Sequence, residues 1–168
     1  MGVFKAFTAR VYDRELRHTT KGQKFSYKGL KFNAKIVDVY DGDTLTVVFR
    51  YRGELQQHSV RMIGYDSPEM KPPKTKPDRE HEIAAAKEAR KALMTITGFD
   101  EQSTHLVSIE CHAFDKYGRI LVNLYTKRRN RWWSWRECIN VNQWMIDRGY
   151  GVPYDGGSKL NWFTQLNG

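Results

Sequence analysis

The chain has 168 residues, with 28 Lys and Arg against 19 Asp and Glu, a net charge of +9, and 13% aromatic residues. That length suits one domain able to bury a core without staples, and the aromatic content excludes global disorder. No apolar run approaches the ~20 residues needed to cross a bilayer, so a membrane span is excluded, while the basic balance favours an acidic partner such as nucleic acid or an anionic surface.

Residues 1–30 are polar and basic, with Lys21-Gly22-Gln23-Lys24 at their centre, and read as an extension or short edge element outside the core. From Ala34 the texture changes. Ile36, Val37, Val39 and Tyr40 lead into Asp41-Gly42-Asp43-Thr44, and Leu45 to Phe49 follow. Two β-rich runs around an Asp-Gly pair predict a hairpin, with the glycine supplying a positive φ. Gly53 marks a second turn and Ser59 to Gly64 a third strand, completing a meander. Met70 to Asp78 holds Pro72, Pro73 and Pro77 with three lysines, which predicts a mobile loop. Arg79 to Thr97 is the clearest helix: Ile83, Ala86, Ala89 or Arg90, Leu93 and Ile96 recur at three- to four-residue steps and Gly98 ends it. His105 to Ala113 and Ile120 to Tyr125 flank a turn, and Asn140 to Arg148 predicts a short amphipathic helix. Three strands, a helix, two strands and a helix predict an OB-fold-like five-stranded antiparallel β-barrel.

Three polar clusters sit at the predicted strand ends. In Asp41-Gly42-Asp43-Thr44 a turn needs one Asp, and Asp43 is a surplus carboxylate that repels the first unless a cation lies near. Asp66-Ser67-Pro68-Glu69 reads equally as a capped loop with a solvated glutamate. A meander can bring both clusters to one edge, where Asp43, Asp66 and the Ser67 carbonyl offer the hard oxygens a divalent cation wants. Arg61 alternates within an apolar strand and Arg119 closes the turn Asp115-Lys116-Tyr117-Gly118-Arg119. Each could be an exposed charge, but two arginines beside a cation would hold a phosphodiester in bidentate forks. Cys111 and Cys138 carry no metal-ligand spacing and are expected as buried small hydrophobes. Arg128 to Arg136 interleaves arginines with three tryptophans, a pattern suited to stacking bases or to a basic hairpin tip, and less to a membrane surface.

Taken in order and spacing, Tyr40-Asp41-Gly42-Asp43-Thr44, Arg61 with Asp66-Ser67-Pro68-Glu69, and Asp115-Lys116-Tyr117-Gly118-Arg119 resemble the staphylococcal nuclease (thermonuclease) family over roughly residues 34–154. The resemblance implies an OB-like barrel with two or three helices in residues 31–168, and a metal-dependent endonuclease acting on DNA and RNA. Ca²⁺ is the implied cofactor, with Mg²⁺ or Mn²⁺ compatible with the same oxygens. Carried over by position, Asp43, Asp66 and the Ser67 carbonyl would ligate the cation, Arg61 and Arg119 would grip the phosphate, and Glu69 would orient or deprotonate water. Lys116, Tyr117 and Tyr154 would contact the nucleotide. Ser67 stands where the family usually has Thr. The alternative is a catalytically silent nuclease-like module that binds nucleic acid or protein; such a domain is expected to lose one of Asp43, Arg61, Asp66, Glu69 and Arg119, and here all five are present. No obligate protein partner is evident. The N-terminus lacks the pattern of a secretory signal, so a cytoplasmic, nuclear or virion-associated protein is the expectation.

Overall fold

A computed structural model describes residues 16–22, 24–127 and 138–157. Its centre is a meander of β1 (Lys31–Val39), β2 (Thr44–Tyr51) and β3 (Glu54–Met62), all antiparallel. The β2–β3 connection is a two-residue turn with Arg52 at φ 49° and Gly53 at φ 88°. Positive φ at both positions matches the right-handed twist of the flanking strands. A short strand β4 (Tyr65–Asp66) follows, then helix α1 (Arg79–Thr97), β5 (Val107–Phe114), β6 (Ile120–Lys127), β7 (Cys138–Asn140), helix α2 (Val141–Asp147) and β8 (Val152–Pro153). Leu16 to His18 are helical as well.

Hairpin β5–β6 joins the meander on both sides. β5 lies antiparallel to β1, and β6 lies parallel to β3 through Val60–Ile120, Arg61–Leu121 and Met62–Val122. The barrel is therefore closed and mixed, where the sequence reading expected every pairing to be antiparallel. The reason is topological: a closed ring with an odd number of strands cannot reverse direction at every contact. Asn142 secures the end of the parallel seam. Its carbonyl accepts the Leu124 N–H at 2.9 Å and its amide donates to the Ile63 and Val122 carbonyls at 2.9 and 3.1 Å.

Period-2 alternation places Leu45, Val47 and Phe49 of β2 and Ile120, Val122 and Leu124 of β6 inside the barrel. Ala89 and Leu93 of α1 and Val141 and Met145 of α2 complete the core. Helix α1 has the predicted bounds, and Gly98 ends it at φ 64° with its N–H turned back to the last carbonyls. Asn140 caps α2 by accepting the Gln143 N–H. Two expectations need correction. Tyr27, placed outside the core by the sequence reading, is 2% exposed and makes edge-on contacts with Phe32, Phe49 and Tyr51, its hydroxyl 3.1 Å from His58 Nε2. Backbone bonds between Gly29 and Cys111 and between Cys111 and Leu30 tie the same segment to β5. Cys111 is buried as expected, but Cys138, at the start of β7, is exposed. The Arg128 to Arg136 stretch lies outside the described residues. Among the described residues no helix is long and apolar enough to cross a membrane.

Candidate active site

The β1–β2 connection is built so that Asp41 and Asp43 have different tasks. Asp41 Oδ1 accepts the Asp43 and Thr44 N–H groups at 3.0 and 2.7 Å, which closes the turn. Asp43 is thereby free of turn duty and points inward, 2% exposed. Its Oδ1 accepts the Thr44 hydroxyl at 2.7 Å and its Oδ2 the Ser67 N–H at 3.2 Å. Burial pushes the Asp43 carboxyl up to about 6, with the Asp41 charge adding and Arg61 opposing. Gly42 is needed for a reason other than the predicted positive φ. A Cβ there would stand 2.7 Å from Ala89 Cβ and 2.8 Å from Ser67 Cβ, so only a glycine lets the turn pass between α1 and the Asp66-Ser67 segment.

The β2–β3 register sets Thr44 directly opposite Arg61. Arg61 is consequently not an outward charge of the sheet. Its guanidinium reaches Asp43 at 2.9 Å and also pairs with Asp66. Burial works against the Arg61 charge, but Asp43 and Asp66 outweigh it and hold its pKa above the usual value. Asp66 is positioned by β4, which pairs with β8 through Tyr65–Pro153 and Asp66–Val152. The Tyr65 side chain, 1% exposed, donates to the Gly42 carbonyl at 2.6 Å and fastens β4 to the Asp-Gly-Asp turn. The close approach of Gly151 to the Tyr65 ring makes that pairing possible. The same pairing delivers Tyr154, whose N–H donates to the Gly64 carbonyl at 3.0 Å.

The β5–β6 turn brings the third cluster. Asp115 accepts the Tyr117 and Arg119 N–H groups at 2.8 and 2.9 Å and receives the Arg119 Nε–H at 2.7 Å. Burial opposes the Asp115 charge, yet these Arg119 and Tyr117 bonds hold its carboxyl below the usual range. A second guanidinium nitrogen of Arg119 donates to Thr44 Oγ1 at 3.0 Å. Thr44 thus links Arg119 to Asp43. Tyr117 is 72% exposed at the tip, with Lys116 Nζ 5.0 Å from its ring centre.

These elements enclose an open cleft of about 720 Å³. Asp43, Arg61, Asp66, Ser67, Glu69, Lys116, Tyr117, Arg119 and Tyr154, every residue nominated from the sequence, line it. Tyr40, Leu121, Met70 and Lys71 line it too and were not nominated. Tyr40 and Leu121 carried no signal beyond strand alternation, but Met70 and Lys71 directly follow Glu69. Tyr150, upstream of Tyr154, stacks on Trp144. The sequence predicts a mobile loop over Met70 to Asp78. Within it Pro72 is buried and Lys76 pairs with Glu82 of α1 at 2.6 Å, while Lys71, Pro73, Lys74, Thr75, Pro77 and Asp78 are exposed.

The donor set fits a hard divalent cation. Among the described residues no three His, Cys, Asp or Glu side chains converge as a ready metal cluster. A cation here would rest on the Asp43 and Asp66 carboxylates, the Ser67 carbonyl and water. The buried Asp43 carboxyl, raised by its own burial and by Asp41, is the group whose charge such a cation would offset.

No curated protein matches the chain. The family model described as staphylococcal nuclease homologue matches residues 59–161. That span begins within β3 and takes in Arg61, Asp66, Ser67, Glu69, Lys116, Tyr117, Arg119 and Tyr154, while Asp43 precedes it and joins the set through Arg61 and Ser67. The match covers more than half of the chain, and the closed five-stranded barrel agrees with it, so the chain belongs to the staphylococcal nuclease homologue family.

Proposed function

We propose that the protein is a cation-dependent phosphodiesterase that hydrolyses DNA and RNA, cutting within strands. The observation that carries this reading is the convergence of two arginines, two interior carboxylates and Glu69 on one open cleft in a chain of net charge +9. A Ca²⁺ ion held by Asp43, Asp66 and the Ser67 carbonyl would supply Lewis-acid polarisation of a phosphoryl oxygen, a role that Mg²⁺ or Mn²⁺ could also fill.

The chain's own groups account for the remaining requirements. Arg61 and Arg119 offer planar forks to the non-bridging oxygens, whose charge grows as phosphorus becomes five-coordinate. Arg119 is held for this by Asp115 and Thr44, so little reorganisation is needed when charge develops. Glu69 accepts a proton from the attacking water or orients it. Lys116 neutralises a neighbouring phosphate, and the exposed Tyr117 ring and Tyr154 present faces or hydroxyls to the nucleotide.

The decisive assay incubates the purified protein with circular plasmid and with single-stranded RNA, in Ca²⁺, Mg²⁺ or chelator, beside Glu69→Gln. Cation-dependent loss of the circle that Glu69→Gln slows by orders of magnitude to a residual rate supports an endonuclease. Salt-sensitive binding with no cutting under any cation would mean a nuclease-like binding module and overturn the proposal.

A further inference from the structure

Glu82 is an acid in the wrong surroundings. It lies on the face of α1 that carries Ala86, Ala89 and Leu93 into the core, and it is 3% exposed. Burying a carboxylate there is costly unless its oxygens are satisfied. One oxygen accepts a hydrogen bond and the other, which has no hydrogen-bond partner of its own, is held by an ion pair, both from a single piece of chain. Oε1 accepts the Glu69 N–H at 3.3 Å and Oε2 pairs with Lys76 Nζ at 2.6 Å. Glu69 opens the proline-rich loop that runs to α1, Lys76 lies near its close, and between them Met70 and Lys71 line the cleft. One side chain therefore fastens the loop at both ends.

A buried ion pair is a poor source of net stability, since apolar residues of similar volume often do as well. What it provides is geometry. From these contacts we infer that Glu82 is a positioning residue: it latches the 69–78 loop onto α1 and thereby fixes the backbone that carries Glu69 at the wall of the cleft. This rests on the reading of Glu69 as the group that handles the attacking water. The proline content supports it. Prolines at 72, 73 and 77 remove three backbone donors, and the Lys76 N–H is spent within the loop on the Pro73 carbonyl at 3.1 Å, so attachment to α1 falls to contacts such as those of Glu82.

The test combines kinetics with proteolysis on the full chain, at a temperature where circular dichroism shows each variant folded. Glu82→Ala is expected to lower kcat about 10- to 100-fold, the order produced by an ångström of misplacement, with KM changed less than threefold. Glu82→Gln keeps an acceptor for the Glu69 N–H and is expected to recover most of that loss. In a Glu69→Gln background, Glu82→Ala is expected to add no further loss, because both act on one function. Trypsin reads the latch directly. Lys71 and Lys76 each precede proline, so Lys74–Thr75 is the cleavable bond of the Lys71–Lys76 stretch. Its cleavage is expected to accelerate at least tenfold in Glu82→Ala and also in Lys76→Met, which leaves α1 untouched should Glu82→Ala fail to fold. Unchanged Lys74 cleavage in both variants overturns the inference. So does a kcat loss that multiplies with that of Glu69→Gln. If the wild type cuts nothing, the proposed function fails, and the proteolysis still decides whether the latch exists.

Discussion

Gly42→Ala isolates the contact on which the whole cleft depends. The added Cβ would lie 2.7 Å from Ala89 Cβ, 2.8 Å from Ser67 Cβ and 3.1 Å from Ser67 Oγ. None of these is the loose end of a long side chain. Ala89 is 1% exposed within α1 and Ser67 is 5% exposed beside Asp66, so neither can rotate away. Relief to an ordinary carbon–carbon contact of about 3.6 Å requires the turn, the helix or the Ser67 segment to move by nearly an ångström. Overpacking of this kind costs about 1–3 kcal/mol, offset by about 0.5–1 kcal/mol because alanine restricts the unfolded chain. The net loss of about 0.5–2 kcal/mol corresponds to a Tm lowered by roughly 1–8 °C in a domain of this size.

Activity is expected to suffer far more than stability. Gly42 sits between the turn carboxylate Asp41 and the buried Asp43, its carbonyl holds Tyr65, and the displaced neighbour Ser67 donates to Asp43. A shift near an ångström at that junction is expected to lower kcat/KM by about 10- to 100-fold. The assay pairs a thermal melt with initial cleavage rates taken 20 °C or so below the midpoint, where about 2 kcal/mol of destabilisation leaves the population folded. A variant with wild-type Tm and wild-type rate would refute the close-packing argument. One that loses Tm and rate only through unfolding would refute the claim that the contact sets the site.

Asp43→Asn tests the electrostatics. The folded-state pKa of about 6 lies above that of a carboxyl in the unfolded chain, so the folded state binds the extra proton between about pH 4 and 6. Stability in chelator is therefore expected to fall as pH rises through that window, and melts of Asp43→Asn are expected to lack that part of the slope; an unchanged slope would assign it elsewhere. Arg119→Ala should lower single-turnover rates on bound substrate by about 10²-fold or more, and Arg119→Lys should recover little because an ammonium lacks the fork. A defect confined to affinity would remove Arg119 from the transition state. Binding of a non-cleavable oligonucleotide should weaken linearly in log salt with a slope of about −0.7 per phosphate contacted on a single strand. A salt-independent affinity would point to a protein partner.

Much of this site was legible because its chemistry falls on turns, where residue identity is least constrained by packing. The second carboxylate of Asp41-Gly42-Asp43, the Asp66 to Glu69 cluster and the Asp115 to Arg119 turn each hold more polar groups than a turn requires, and each lines the cleft. Arg61 was ambiguous until the register placed it opposite Thr44, because strand alternation alone pointed it to solvent. What stayed hidden depended on contacts between distant segments. Tyr27 lacks periodic neighbours, so nothing local announces that it enters the aromatic cluster around Phe49. Gly42 looks like any turn glycine until α1 is laid against it. Glu82 breaks the apolar stripe of α1 and reads as an exposed charge, since only the loop folding back gives it partners. Cys138 was misjudged because residue type predicts burial only on average.

The acids themselves argue for chemistry over simple binding. A net charge of +9 draws polyanions toward the chain, yet the cleft floor carries Asp43 and Asp66, with Asp41 at its lip. Those carboxylates would repel a phosphate brought to the cleft, and they already pair with Arg61, a group able to grip one. A module whose task was affinity would bind better without them. The consequence is measurable: in chelator, Asp66→Asn should bind a non-cleavable single-stranded oligonucleotide at least as tightly as wild type, because Arg61 loses a competing anion. Its cleavage with cation restored should nevertheless collapse. Tighter binding with lost turnover would show that the acids serve the reaction at the expense of the complex. Weaker binding in chelator would instead make Asp66 a structural support for the substrate groove, and the case for catalysis from these carboxylates would fall.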